Sequence, residues 1–366
     1  MNPVYLNKLI DQIRKLDLDA LLIAPSADML FFTGHMPMLC QRFQGLFITA
    51  KGQSFYVCNL LTGDEIRDAM PDVPVYTWFD GEGFVETVRR ALADYGLIGG
   101  RIGVNNAVRA FNILEISEAM DVTFVSARLL CPEVRICKNN TEISFMREAG
   151  RIGQKALELT VKEIRAGMKE KEVKQILEGH MAQLGAERPS AMVASGPNSG
   201  FPHYNRDDRV IRPGDTVLID FGCAVNNLCT DITRTFFMGE PSEHQKEIYG
   251  LVYDAIAAAE RAFLNGERWI PYIDLAARKV IADGGYGNYF TTRLGHGMGY
   301  LAHEAPDIKQ NNKRFLEPGM AFTIEPGIYI PDDMGVRIED CLVLNPDGKA
   351  EVLTASFPKE YRIIDN

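Results

Sequence analysis

Two stretches of this chain put acids where a sheet normally buries apolar side chains, and they do so in pairs. The run TVLIDFGCAVNNLCTDITRTFF is strand-like on both sides of a break at Asn226 and Asn227, and it carries Asp220 and Asp231. With a two-residue hairpin turn at the asparagines, Asp231 faces Gly222, and Asp220 lies two residues further along on the same face. The second stretch, FTIEPGIYIPDDMGVRIEDCLVL, repeats the device: a turn centred near Asp332 sets Glu325 directly opposite Glu339. A bare carboxylate in an apolar run is costly unless protonated, paired or metal-bound. Opposed like charges also destabilise a sheet, so a cation is the natural reason to keep them.

His296 adds a nitrogen donor in RLGHGMGYLAHEAP, whose glycines let the backbone approach closely and argue against a regular helix. Four carboxylates and one imidazole suit a pair of hard or borderline divalent cations, because four negative charges offset the +4 of two ions. Any one of these acids alone is more often a solvated or salt-bridged residue than a ligand. Two hairpin pairs plus an imidazole in a glycine-rich loop together predict a metal site. The donor set suits Mn, Fe, Co and Zn alike. Cys223 and Cys229, close in sequence to the aspartates, read as small buried hydrophobes rather than thiolate ligands. His180, on an apolar helical face, reads as a packed core histidine. The same holds for His35 and His244, which have no acidic or glycine-rich sequence context.

The strings LIDFG, CTDITR, GHGMG with HEAP, TIEPG and VRIED, in that order, resemble the pita-bread metallopeptidases, which include Xaa-Pro dipeptidase, Xaa-Pro aminopeptidase and methionine aminopeptidase. The resemblance runs from about residue 130 to the end of the chain. It implies an α+β protein whose C-terminal domain is an antiparallel sheet with flanking helices in two pseudo-twofold halves. It also implies that Asp220, Asp231, His296, Glu325 and Glu339 hold two metal ions, with Asp231 and Glu339 bridging. SGPNSGFPHYN matches the segment in which the family places a substrate-facing histidine, here His203, and HEAP supplies a second, His303. Met298, Tyr300 and Ala302 stand where aliphatic or β-branched residues are usual, a departure that bears on specificity.

The first 130 residues alternate helical and strand-like patterns: Val4 to Lys15 as a helix, ALLIAP as a buried strand, GLFITAKGQSFYV as a hairpin, Phe84 to Tyr95 as a helix and RIGVN as a strand. This is a layered α/β domain with no P-loop and no GxGxxG. It resembles the N-terminal domain of the prolidase, Xaa-Pro aminopeptidase and creatinase group, and a boundary is expected near Cys131-Pro132, giving domains 1–131 and 132–366. Beyond it, Asn139 with Glu142 forms a capping-box start to a helix whose face holds Ile143, Met146, Ala149, Ala156, Leu157 and Ile164. A second helix presents Val173, Ile176, Leu177, Met181 and Leu184 and ends at Gly185. Further helices are expected over Ser242 to Leu264 and Tyr272 to Asp283, with strands over Ala191 to Phe237 and Ala321 to Leu344. Two helices followed by an acid-bearing hairpin thus occur twice.

At 366 residues and 46% hydrophobic content the chain can bury a large core, and its length suggests two domains. A net charge of -10 without a basic run excludes nucleic acid as an expected partner. The N-terminus lacks a signal-peptide core and no apolar run is long enough to span a bilayer, so a cytoplasmic protein is expected. Seven widely spread cysteines form neither a disulfide framework nor a CxxC site. A homodimer is expected from base rate and from the resemblance.

Two cations about 3.5 to 4 Å apart can share a water, lower its pKa and polarise a scissile carbonyl, which favours hydrolysis. On the resemblance, the substrate is a small peptide, a bridging hydroxide attacks the carbonyl of an Xaa-Pro bond, and Glu325 passes the proton to the leaving nitrogen. His203 and His303 would donate to the carbonyl oxygen. Arg337, two residues before Glu339, shares its face and could fix Glu339, bind a substrate carboxylate or form a structural salt bridge, and Tyr329 could support the oxyanion or pack. Other hydrolase signatures fail: HEAPD has Asp307 where a zincin needs its second histidine, Ser195 lacks a GxSxG frame, and GHGMG has no following Lys-Ser or Lys-Thr. The competing readings are a noncatalytic binding module, an amidinohydrolase and a lyase on the same scaffold. The first two would be expected to lack the ligands retained here.

Overall fold

A computed structural model describes residues 3–365. The chain divides into two compact units after Arg135. Cys131 and Pro132 lie inside the last helix of the first unit, Leu130–Arg135.

Among the described residues, the first unit holds six strands, β1 (Ala20–Ile23), β2 (Gly45–Thr49), β3 (Ser54–Asn59), β4 (Val75–Trp78), β5 (Arg101–Val104) and β6 (Thr123–Ser126), in one sheet of order β4-β3-β2-β1-β5-β6. The GLFITAKGQSFYV hairpin forms as β2 and β3, while β1–β5, β3–β4 and β5–β6 are parallel. Helices α1 (Pro3–Lys15), α2 (Ala27–Thr33), α3 (Leu60–Ala69), α4 (Val85–Asp94), α5 (Ala110–Ala119) and α6 (Leu130–Arg135) complete it. Parallel strands need crossovers, and α3, α4 and α5 provide them. The apolar stripes of α4 and α5 bury Val88, Leu92 and Ile116 with Phe47, Phe55 and Ile102.

The second unit opens with α7 (Asn140–Val161) and α8 (Glu170–Gln183). The α7 start is a capping box: the Asn139 side chain accepts from Glu142 N at 3.0 Å and the Glu142 carboxylate accepts from Asn139 N at 2.7 Å. There follow β7 (Glu187–Ser195), β8 (Thr216–Val225), β9 (Leu228–Met238), α9 (Glu243–Leu264) and α10 (Ile270–Asp283). The chain closes with β10 (Gly295–Gly297), β11 (Glu304–Ile308), β12 (Ala321–Ile324), β13 (Gly327–Ile330), β14 (Met334–Arg337), β15 (Asp340–Leu344), β16 (Ala350–Val352) and β17 (Ile363–Ile364). These strands form sheets of order β17-β9-β8-β7 and β11-β10-β12-β15-β16, with β13–β14 as a separate ribbon. Leu184, expected on the α8 face, is exposed because the helix ends at Gln183 and the chain turns away through Gly185 at φ 90°.

Side-chain parity explains why the acids share one side. Ile219, Phe221 and Ile232 pack with Ile143, Met146 and Leu177 of α7 and α8. Ile324 and Ile338 pack with Ile248, Val252 and Ala277 of α9 and α10. Each acid is the immediate neighbour of one of these core residues, and successive strand residues point to opposite faces. Asp220, Asp231, Glu325 and Glu339 are therefore turned away from their own helices, toward the space between the two halves.

Candidate metal centre

The first hairpin is a regular ladder. Thr216↔Phe237 to Val225↔Leu228 pair without a shift, and Asn226 (φ 47°) and Asn227 (φ 66°) close a two-residue turn of the left-handed kind that favours asparagine. Gly222 faces Asp231 and Asp220 faces Thr233, as the sequence predicts. The second hairpin turns at Asp332 (φ 61°), and the pairs Ile324↔Asp340 and Gly327↔Arg337 keep one register that sets Glu325 across from Glu339. Its ladder is interrupted at those two residues. Glu325 N donates to Leu294 O at 2.7 Å and Glu339 N to Thr233 O at 3.0 Å, so the two acids are tied to the neighbouring segments instead.

His296 sits on β10 between two glycines that permit close backbone contact. A Cβ at Gly295 would collide with the Thr323 carbonyl, and one at Gly297 with the Ala305 carbonyl. The His296 Nδ1–H donates to Gly297 O at 3.1 Å, which leaves Nε2 facing Glu325 Oε1 at 3.2 Å and Asp231 Oδ2 at 3.8 Å. Donor atoms of Asp220, Asp231 and Glu339 all lie within 4.8 Å of one another, as do those of His296, Glu325 and Glu339 and those of Asp231, His296 and His303. All five residues singled out by the sequence converge, and Asp231, His296 and Glu339 each belong to two of the three groups.

The electrostatics fit this donor set to cations. Burial, then the charge of Asp220, pushes the Asp231 carboxyl well above its ordinary range. Burial and the charge of Asp231 do the same to Glu339. Burial also acts to raise Glu325, but the hydrogen bond from His296 holds it below its ordinary value. The same bond raises His296 against the opposing effect of burial. Buried acids that repel one another around one imidazole are relieved by divalent charge, so the residues fit the group.

Arg337 is buried, and its fork is fully engaged: Nε donates to Thr233 Oγ1 at 3.0 Å, Nη1 to Tyr329 Oη at 2.8 Å and Pro202 O at 3.2 Å, and Nη2 to Asp220 Oδ2 at 2.5 Å. Its hydrogen-bonded carboxylate partner is thus Asp220, with Glu325 at 4.0 Å, and it reaches Glu339 only through the Thr233 hydroxyl, which donates to Glu339 at 2.6 Å. Tyr329 is buried with its hydroxyl on Arg337. His203 and His303 both line the cavity of about 930 Å³ that opens over the acids. The His303 ring centroid lies 4.2 Å from that of His296, and burial followed by the charge of His296 lowers its pKa.

The bland readings divide. Cys223 and Cys229 are buried, pushed up to about 12 and about 11 by burial, and belong to none of the donor groups among the described residues. None of the three histidines read as core residues is buried: His180 is half-buried, on Thr160 Oγ1 at 3.0 Å and Glu163 at 3.1 Å. His35 is half-buried and His244 exposed, and their acidic partners, Glu65 at 3.0 Å and Asp333 at 3.1 Å, lie too far along the chain to register as local context. Met298 is buried in the first core and Tyr300 donates to Glu142 at 3.1 Å, leaving Ala302 of these three to line the cavity.

The sequence pattern of metallopeptidase family M24 matches residues 144–346, more than half of the chain. This protein belongs to metallopeptidase family M24. Residues 6–137 match the creatinase/prolidase N-terminal domain. A provisionally named dipeptidase of Bacillus subtilis (strain 168) is 33% identical over 349 residues, 94% of this chain and 95% of the relative. The dipeptidase structure from Pyrococcus horikoshii OT3 superposes with TM-score 0.89 at 34% identity, covering 99% of this chain and 100% of that one. The Xaa-Pro dipeptidase structure from Bacillus anthracis gives 0.86 at 30%, covering 98% and 99%. As an M24 metallopeptidase the chain acts on peptides with divalent metal, on a pita-bread catalytic domain preceded by a creatinase-like one. Among the described residues no helix is long and apolar enough to cross a membrane.

Sequence reasoning missed Thr233 and Thr323. Thr233 orients Glu339, and the Thr323 hydroxyl accepts from His296 N at 3.1 Å. A signal was present: each stands two residues from an acid, Asp231 and Glu325, and so shares its face.

Proposed function

We propose that this M24 protein is an exopeptidase that uses two metal ions to hydrolyse the Xaa-Pro bond of dipeptides or peptide N-termini. The observation that carries the reading is the convergence of five donors in overlapping groups, with Glu339 common to the group of Asp220 and Asp231 and to that of His296 and Glu325. Asp220, Asp231 and Glu339 would hold one ion and His296, Glu325 and Glu339 the other, and on the resemblance Asp231 would join Glu339 in serving both. Bound there, two divalent ions supply Lewis acidity and an acidified water.

The chain's own residues complete the reaction. Glu325, kept ionised by His296, takes a proton from the attacking water as the new C–O bond forms. It returns that proton to the proline nitrogen as the C–N bond breaks. His303, with a lowered pKa, is neutral at pH 7 and presents a ring N–H to the substrate oxygen, joined by His203 across the cavity. Arg337 acts through others: it holds Asp220, Thr233 and Tyr329, and is a positioning residue.

Metal stripped by chelator and restored as Mn, Co or Zn gives the test, with Xaa-Pro dipeptides assayed beside Xaa-Pro tripeptides. Turnover should vanish on stripping and return with at least one metal. No turnover of either substrate under any metal contradicts the reading.

A further inference from the structure

The cavity over the acids is also lined by Arg188, Arg293, Lys309 and Arg337. Three of these cations have carboxylate partners: Arg293 and Lys309 share Asp307 at 2.6 and 2.7 Å, and Arg337 pairs with Asp220. Arg188 differs. Among the described residues no carboxylate lies within the 4.0 Å ion-pair distance of its guanidinium. Its partners are two carbonyls and a thiol: Nη2 donates to Asn227 O at 2.8 Å and sits 3.6 Å from Cys229 Sγ, and Nη1 donates to Tyr300 O at 3.3 Å.

The backbone is specially arranged to present this side chain. The β7–β8 register shifts between Glu187 and Ser190, where three steps on β7 oppose two on β8, and Arg188 takes φ 48° in that bulge. A left-handed conformation is unusual for a residue other than glycine or asparagine, and bulges re-aim side chains. Glu187 anchors the bulge by accepting from Asn226 N at 3.2 Å and Asn227 N at 2.9 Å. The result is an unpaired cation on a braced element at the edge of a peptide-binding cavity.

We infer that Arg188 binds the free C-terminal carboxylate of the substrate, so that the preferred substrate is a dipeptide rather than a longer peptide. This rests on the Xaa-Pro reading above. The spacing fits. Cys229, beside the guanidinium, is two residues from Asp231 on the same face of β9, or roughly 7 Å along a strand. In an Xaa-Pro dipeptide the scissile carbonyl carbon and the carboxylate carbon are three bonds apart, roughly 3 Å at the fixed φ of proline, and the carboxylate oxygens reach about 1 Å further. A charge-assisted hydrogen bond of about 2.8 Å spans the remainder. An extended peptide would instead place a neutral amide against Arg188, where a site built for a charge loses most of its discrimination.

The test compares kcat/KM for an Xaa-Pro dipeptide and for its C-terminal amide, in the metal-loaded wild type and in Arg188→Met and Arg188→Lys. The wild type should prefer the dipeptide. The Met variant should lower the dipeptide-to-amide ratio by about tenfold or more, and Lys should restore part of it. An unchanged ratio with both substrates falling together means that Arg188 only braces the hairpin, and overturns the inference. Wild-type enzyme that cleaves both substrates equally also overturns it, leaving the Xaa-Pro reading intact. No cleavage of either substrate overturns both.

Discussion

The two acid-bearing hairpins differ in one respect. The β8–β9 ladder runs unbroken through Asp220 and Asp231, whereas the second ladder splits into β12–β15 and β13–β14 at the residues that carry Glu325 and Glu339. The first hairpin therefore keeps its cross-strand pairing intact through both of its acids. The second directs the amides of Glu325 and Glu339 to Leu294 and Thr233, stitching the acids of one half to the strands that carry His296 and Asp231. Regular pairing can set two acids on one face, but bringing two such faces to one point requires a break in one of them. Thr233 is the joint: its carbonyl accepts from Glu339 N while its hydroxyl donates to Glu339 Oε2.

The largest expected effect is at the break itself. Glu339→Gln should cost more than about a hundredfold in turnover, beyond the usual loss for an outer partner, with loss of paired metal seen by elemental analysis. His303→Ala lies outside both hairpins and should cut turnover by about a hundredfold or more while metal content stays at the wild-type level. Loss of metal in that variant would make His303 a ligand, as its proximity to Asp231 and His296 permits. Thr233→Val removes the hydroxyl of the joint and should weaken metal affinity by about ten- to a hundredfold, measured by chelator competition. Asn227→Val strains the turn of the regular hairpin, away from the acids, and should lower stability by about 1 to 2 kcal/mol in denaturant melts, with little effect on the metal count. If the turn variant loses metal as readily as the joint variant, the contrast between the hairpins is wrong.

The first hairpin was fully legible in the sequence because its turn, its register and its acids follow from local rules. Period-two alternation and an Asn-Asn turn set which residues face each other, and the observed pairs agree. The second register was legible for the same reason, but the interruption was not, since it depends on amides finding carbonyls in segments far along the chain. Arg337 shows the same limit. Its face was predictable from parity, yet its partner Asp220 is 117 residues away and was decided by how the two halves close. His35 and His244 failed likewise: a local window cannot see Glu65 or Asp333. Arg188 left only a faint trace, because a bulge depends on a register shift that alternation alone does not reveal.

The proposal that two hairpins assemble one site for two ions is checked by counting Mn per chain, by elemental analysis after gel filtration, in the reloaded wild type and in Asp231→Asn. The account predicts two ions in the wild type and loss of the paired site in the variant, together with loss of Xaa-Pro turnover. Full occupancy in Asp231→Asn, or an active wild type that holds a single ion, would contradict it.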